Sequence, residues 1–210
     1  MAVLDEIKAA TIAGNRENTV AGIEQALSEG MSPGDIIQNG LIEAMGVVGE
    51  KFKTNEIYVP EMLIAARAMK AGLAKLKPLM VEGDVKTLAT VVLGTVKGDL
   101  HDIGKNLVGI MMEGAGMQVY DVGVDISPEQ FVEAVKENKP QFVGISALLT
   151  TTMPGMKATL EALEEAGLRG DVKVLVGGAP VTQKFAEDIG ADGFADNAAE
   201  VVDRIKAMLG

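Results

Sequence analysis

The sequence predicts an α/β chain in two parts: an N-terminal four-helix bundle, then a five-stranded parallel sheet flanked by helices. Three observations carry this. Residues 1 to about 82 show only helical spacing of apolar positions, with helix start and stop signals between them. From Lys86 onward, short β-branched runs alternate with amphipathic stretches, the pattern of strand–helix–strand crossovers in a parallel sheet. Between the two, Pro78 and the polar Glu82-Gly83-Asp84 mark a linker. The expected domains are therefore 1–83 and 84–210.

Composition bounds what such a chain can do. A length of 210 residues suits one large or two small domains, and a hydrophobic fraction of 48% supplies ample core. Aromatics make up only 3% and tryptophan is absent, so the core must be aliphatic and rich in methionine. No run approaches the ~18 apolar residues of a membrane span, and Met1-Ala2-Val3-Leu4-Asp5-Glu6 lacks the basic and apolar regions of a signal peptide. The lack of cysteine excludes disulfides and fits a cytoplasmic protein. A formal net charge of −11 argues against nucleic acid as a partner and leaves room for proteins with basic surfaces.

The bundle reads in order. Val3 to Ala13 stops at Gly14. Asn15 caps a second helix running to Gly30. Ser32-Pro33 is an N-cap followed by proline at the first helical position, and Ile36, Ile37, Leu41, Met45 and Val48 follow at three- and four-residue steps. Pro60 opens a fourth helix with Met62, Ala66, Met69, Leu73 and Leu76 on one stripe. Short connections suggest an antiparallel bundle.

In the second part strands are expected at 88–94, 117–122, 141–146, 172–176 and 193–195. Helices are expected at 104–115, 128–138, 154–166, 182–189 and 198–208. This suits a Rossmann-like, specifically flavodoxin-like, strand order of 2-1-3-4-5. Such a sheet binds ligands at the carboxyl ends of strands one, three and four. The loop after strand one is Lys97-Gly98-Asp99-Leu100-His101-Asp102-Ile103-Gly104, and it holds the only histidine. A lone histidine is commonly an imidazole without chemistry, but three features argue otherwise here. Asp99 can reach the Nδ1–H of His101, which would fix the tautomer and leave Nε2 as a metal donor. Gly98 and Gly104 let the backbone turn and admit a bulky ligand. With no cysteine and no second histidine, a tetrahedral zinc site would need mainly carboxylates. A metal with a single protein ligand brings its other ligands with it, as in a macrocycle. Asp102 lies beside His101 but is expected to point elsewhere.

Asp99-x-His101-x-x-Gly104 resembles the signature of cobalamin-binding domains of the methionine synthase type. It also resembles that of the small corrinoid proteins of methylamine, methanol and methoxy-compound methyltransferase systems. In that family the histidine replaces the cofactor's dimethylbenzimidazole as lower axial ligand to cobalt. The resemblance implies that role for His101, with Gly98, Asp99, Asp102, Ile103 and Gly104 around the cofactor. Ser146-x-Leu148 and Gly177-Gly178, after strands three and four, resemble the family's second and third signatures. They imply a slot for the displaced nucleotide tail, with Thr150 among its hydroxyls. Thr152 stands where methionine synthase has a serine linked to the Asp–His pair. Its hydroxyl can donate to Asp99, although its β-branch restricts the rotamer. Lys51-Phe52 and Tyr58-Val59-Pro60 resemble the methionine synthase cap, which implies that Phe52 and Val59, with Met62 nearby, cover the upper corrin face. The plainer alternatives are core packing for Phe52 and Met62, an N-cap cluster for the threonines, and a tight turn for Gly177-Gly178.

The function so implied is that of a methyl carrier on a corrinoid, not catalytic alone. A substrate-specific methyltransferase would load it from a methylated amine, methanol or a methoxy compound. A second, corrinoid-dependent methyltransferase would pass the methyl to a thiol or tetrahydrofolate, and a reductive activase is a further expected partner. Two alternatives remain. A corrinoid-binding sensor would need a signalling or DNA-binding module, and no basic helix-turn-helix is present. The cofactor subunit of an adenosylcobalamin mutase shares the histidine signature but generally lacks a helical methyl cap. Other sheet ligands fit poorly: Asn106 stands where a phosphate loop needs Ser or Thr, and no Gly-x-Gly-x-x-Gly opens the first helix. Ile145-Ser146 replaces a response regulator's aspartate, and neither a flavin phosphate loop nor a hydrolase elbow is present.

Overall fold

The computed structural model describes residues 2–80 and 87–210. Two compact units are present, one ending at Thr87 and including Gly114–Gly116, the other comprising Leu88–Glu113 and Met117–Gly210. The expected linker residues Glu82-Gly83-Asp84 lie outside the described residues.

Among its described residues the N-terminal unit holds helices and no strand. Helix α1 spans Ala2–Ile12 and α2 Arg16–Ser28; Asn15 caps α2 by accepting the Asn18 N–H at 3.0 Å. Helix α3, Pro33–Ile36, begins at Ser32, whose hydroxyl accepts the Asp35 N–H. The single helix expected from here is instead three pieces: α3, a π-helical turn over Ile37–Ile42, and α4 over Glu43–Lys53. A π turn widens the spiral without interrupting the apolar face, so spacing alone does not reveal it. Helix α5, Val59–Leu76, carries Pro60 in its first turn. Its buried stripe runs through Met62, Ala65, Ala66, Met69, Gly72 and Leu76, and its main neighbour is α2.

The second unit is an all-parallel sheet, β1 Thr90–Val96, β2 Gln118–Ile126, β3 Phe142–Ser146, β4 Lys173–Gly177 and β5 Gly193–Phe194. Its order is β2-β1-β3-β4-β5, as expected. The intervening helices are α6 Ile103–Gly114, α7 Pro128–Asn138, α8 Pro154–Glu165 and α9 Gln183–Asp188, with α10 Ala198–Leu209 last. Strand β1 ends two residues later than its apolar run suggests, and β2 four residues later. Edge strand β2 has only one fully buried position, its last residue Ile126, so its length leaves no alternating apolar pattern in the sequence. Val92, Val143, Val174, Phe131, Met156 and Leu163 belong to the core packed against the sheet. Across the carboxyl edge Thr95 pairs with Ser146, and Ser146 with Gly177. Three expected ligand loops therefore leave the sheet side by side.

Candidate functional site

The site is built around a turn. Beyond β1 the Asp99 N–H donates to the Val96 carbonyl at 3.1 Å, with Gly98 at φ 82°. That positive φ at the third turn position is why glycine stands there. The turn delivers Asp99 into a fully buried position. One carboxylate oxygen, Oδ1, accepts the His101 backbone N–H at 3.1 Å and lies 2.7 Å from the ring Nδ1. The other, Oδ2, accepts the Leu148 N–H at 2.8 Å, the Leu149 N–H at 3.3 Å and the Thr152 hydroxyl at 2.7 Å. Burial by itself raises the Asp99 pKa. The bonds from Leu148, Thr152 and His101 outweigh it and hold the carboxyl well below the usual carboxylate range. Asp99 is thus a fixed anion that takes the Nδ1–H of His101.

His101 presents the other nitrogen. Its side chain is half-exposed, and Nε2 has no hydrogen-bond partner among the described residues. Its carbonyl accepts the Thr95 hydroxyl at 3.1 Å, which anchors the loop to the last turn of β1. The surroundings are open and apolar. Leu100 and Ile103 are 72% and 82% exposed, and Leu148 and Leu149 are exposed on the neighbouring loop. A Cβ on Gly104 would meet nothing within 4 Å. No group of three or more His, Cys, Asp or Glu side chains that could hold a metal occurs among the described residues. An imidazole held on Nδ1, free on its other nitrogen and rimmed by exposed aliphatic side chains, fits one ligand position of a large apolar metal macrocycle.

The other expected residues divide. Ser146 is partly buried beside Thr95 in the paired strands. Thr150 is exposed. Asp102 accepts from the Asn106 side chain at 3.0 Å and takes no part in the His101 contact. Gly177 accepts the Ala147 N–H at 3.2 Å, and Gly178 has φ 126°. A Cβ on Gly178 would lie 1.9 Å from the Ala147 carbonyl oxygen, so the β4 turn closes directly onto the β3 loop. In the helical unit Phe52 is partly buried and Val59 exposed. Met62, expected near a ligand, has no exposed surface, because it opens the buried stripe of α5. A groove of about 580 Å³ along α4, lined in part by Val47, Glu50 and Lys51, contains none of these residues.

Three contributors escape sequence reasoning. Thr95 reads as one more β-branched strand residue. Lys105 is almost fully buried and paired with Asp121 and Asn106, where the sequence suggests an exposed helix charge. Asp125 holds the Gly98 N–H from β2 at 2.7 Å.

Residues 89–203 match the B12 binding domain family, and residues 3–77 match a second family described as a B12 binding domain. The chain belongs to the B12-binding corrinoid protein family. Among corrinoid relatives, the dimethylamine corrinoid protein of Methanosarcina barkeri is 45% identical over 208 residues, 99% of this chain and 97% of its own. Dimethylamine corrinoid protein 1 of Methanosarcina acetivorans is 43% identical over 208 residues, with coverage of 99% and 97%. One solved structure, of the methanol:cobalamin methyltransferase complex MtaBC from Methanosarcina barkeri, contains a chain that is 31% identical. That match has a TM-score of 0.92 and covers 99% of this chain and 80% of that one. The cofactor class of the family is a corrinoid, in keeping with the free Nε2 and the aliphatic rim around it. No helix among the described residues is long and apolar enough to cross a membrane.

Among the described residues the Thr152 hydroxyl is the one side-chain donor that reaches Asp99 from another strand's loop. Replacing Thr152 by valine should cost about 2 kcal/mol, the scale of a lost hydrogen bond to a charge. Thr152→Ser should cost much less, because the hydroxyl remains. Denaturant unfolding of the two variants checks the difference.

Proposed function

We propose that this chain carries a methyl group on a bound corrinoid between two methyltransferases, with His101 Nε2 as the protein's axial ligand to cobalt. The single observation that carries the reading is the Asp99–His101 contact of 2.7 Å on Nδ1, which leaves Nε2 free at the carboxyl edge of the sheet. The likeness to dimethylamine corrinoid proteins and to a chain of a methanol:cobalamin methyltransferase complex supports a place in such a system. A substrate-specific methyltransferase acting on methylated amines, methanol or methoxy compounds is the first partner. A second methyltransferase with a thiol or tetrahydrofolate acceptor is the other, and a reductive activase completes the set.

When bound, the corrinoid supplies the cobalt centre that accepts and releases the methyl group. This chain's residues hold and orient it. Asp99 fixes the ring tautomer and stabilises the electron-rich imidazole, with Thr152 and the 148–149 amides fixing Asp99 in turn. Gly98, Asp102, Ile103 and Gly104 line the approach to His101. Ser146, Leu148, Thr150, Gly177 and Gly178 line the slot for the nucleotide tail. The helical domain, 1–83, is assigned the apolar cover that excludes water, with Phe52 and Val59 as its contacts; residues 84–210 form the corrinoid-binding domain.

The test is His101→Ala in protein loaded with hydroxocobalamin. The visible spectrum should lose the signature of an imidazole-ligated cobalt while the protein stays folded. An unchanged spectrum sinks axial ligation by His101. Mixing the loaded wild type with candidate methyltransferases and assaying methylated amines, methanol and methoxy compounds then identifies the donor.

A further inference from the structure

The end of β2 carries a second hold on the His101 loop. Strands β1 and β2 slip register twice within a few residues: Leu93 pairs with Asp121, Gly94 with Gly123, and Val96 with Ile126. Slips of this kind bend a strand and re-aim its side chains, and they gather beside functional loops. Here they leave Asp125 at φ 57°, a left-handed conformation that few residues except glycine, asparagine and aspartate adopt. From that position Asp125 Oδ1 accepts the Gly98 N–H at 2.7 Å. Its own N–H donates to the Asp99 carbonyl at 3.1 Å. Two consecutive residues of the turn are thereby gripped by one residue of the neighbouring strand. The β3 loop holds the same turn from the other side, its hydrogen bonds going to the Asp99 carboxylate.

We propose that Asp125 is a positioning residue for His101. By fixing the Lys97–Gly98 and Asp99–Leu100 peptides on either side of the Gly98-Asp99 step, it sets the direction from which the Asp99 carboxylate meets Nδ1, and so the tautomer and plane of the ring. The inference rests on the reading of His101 as axial ligand for its functional meaning, but its structural content does not. Among the described residues Asp125 makes no hydrogen bond to the His101 ring, whose Nδ1 partner is Asp99.

Four variants separate the parts. Asp125→Gly keeps the left-handed backbone and its N–H but drops the acceptor. Asp125→Asn keeps both. Asp125→Ala drops the acceptor and strains the backbone. Asp125→Glu keeps the charge but displaces the acceptor by one methylene. In cofactor-free protein, NMR reads the exchange rate of the Gly98 amide and the 15N shifts of the His101 ring. In protein loaded with hydroxocobalamin, the visible spectrum reads the fraction of imidazole-ligated cobalt. Asp125→Gly should speed Gly98 exchange about fivefold, the scale of one net hydrogen bond. It should also move the ring shifts away from the Nδ1–H form and lower the ligated fraction. Asp125→Ala and Asp125→Glu should do the same, and Asp125→Asn should restore all three. If the ring shifts stay at wild-type values in Asp125→Gly, or in Asp125→Glu should the glycine variant not fold, Asp125 merely braces its own turn and the proposal is overturned. Failure of the axial-ligand reading would show separately, as an unchanged spectrum in His101→Ala, and the ring shifts of cofactor-free protein would still judge Asp125.

Discussion

Asp99→Ala is expected to destabilise the cofactor-free protein by about 3–5 kcal/mol, the scale seen when one partner of a buried charged network is removed. The carboxylate is fully buried and receives the Leu148 and Leu149 amides, the Thr152 hydroxyl and the His101 amide and ring. Alanine leaves the Leu148, Leu149 and His101 amides without this acceptor, which costs more than the bonds contribute when made; the Thr152 hydroxyl still has the Leu149 carbonyl at 2.9 Å. The effect has a pH signature. Burial raises the Asp99 pKa, but the bonds from Leu148, Thr152 and His101 prevail, so the folded value lies below the unfolded one. The stabilisation is therefore complete above the unfolded value of about 3.9 and is lost as pH falls below it toward the folded value. Urea unfolding of wild type and Asp99→Asn should show a wide gap at pH 7 that narrows by pH 3. A gap that is constant with pH would mean that the charge of Asp99 does not matter.

Gly178→Ala is expected to be nearly as damaging, at about 3 kcal/mol or more, for a steric reason. The new Cβ would sit 1.9 Å from the Ala147 carbonyl oxygen, at a φ of 126° that L residues rarely adopt. The obstacle is backbone, so the strain cannot be relieved by turning a side chain. Either the β4 turn or the 147–152 loop must move, and that loop carries the donors to Asp99. Loss of stability should therefore come with loss of the ordered Nδ1 contact, read from the His101 ring shifts. Gly177→Ala is the control. Its Cβ would lie 3.3 Å from the Ala195 carbonyl, a clash that a shift of a few tenths of an ångström relieves. A Gly178→Ala protein as stable as Gly177→Ala would show that the close approach is not required.

These two residues also show what local sequence can and cannot reveal. Asp99 and Gly178 are visible because each lies within three residues of the end of an apolar, β-branched strand, where a parallel sheet places ligand loops. Two helix starts are equally visible, since Asn15 and Ser32 accept the amides expected of caps. Asp125 was not visible. Its role depends on two register slips between β1 and β2, and register along an edge strand leaves no periodic mark. Lys105 reads as an ordinary helix charge until β2 brings Asp121 to it. The π turn at Ile37–Ile42 preserves the apolar spacing of the helix around it, so the pattern there looks continuous. Met62 carries two readings at once, a cover residue by family likeness and a packing residue by its place on the α5 stripe, and in this structure it is fully buried.

The Asp99 bonds to Leu148 and Thr152 join residues 49 and 53 positions apart in the chain. Contacts of that span form late, because the intervening segment must first be ordered. Here β3 has to dock beside β1 before the Leu148 amide and the Thr152 hydroxyl can arrive. A nascent or half-folded chain therefore has His101 but not its full orientation, and the ligand geometry proposed for this ring is available only once β3 has docked.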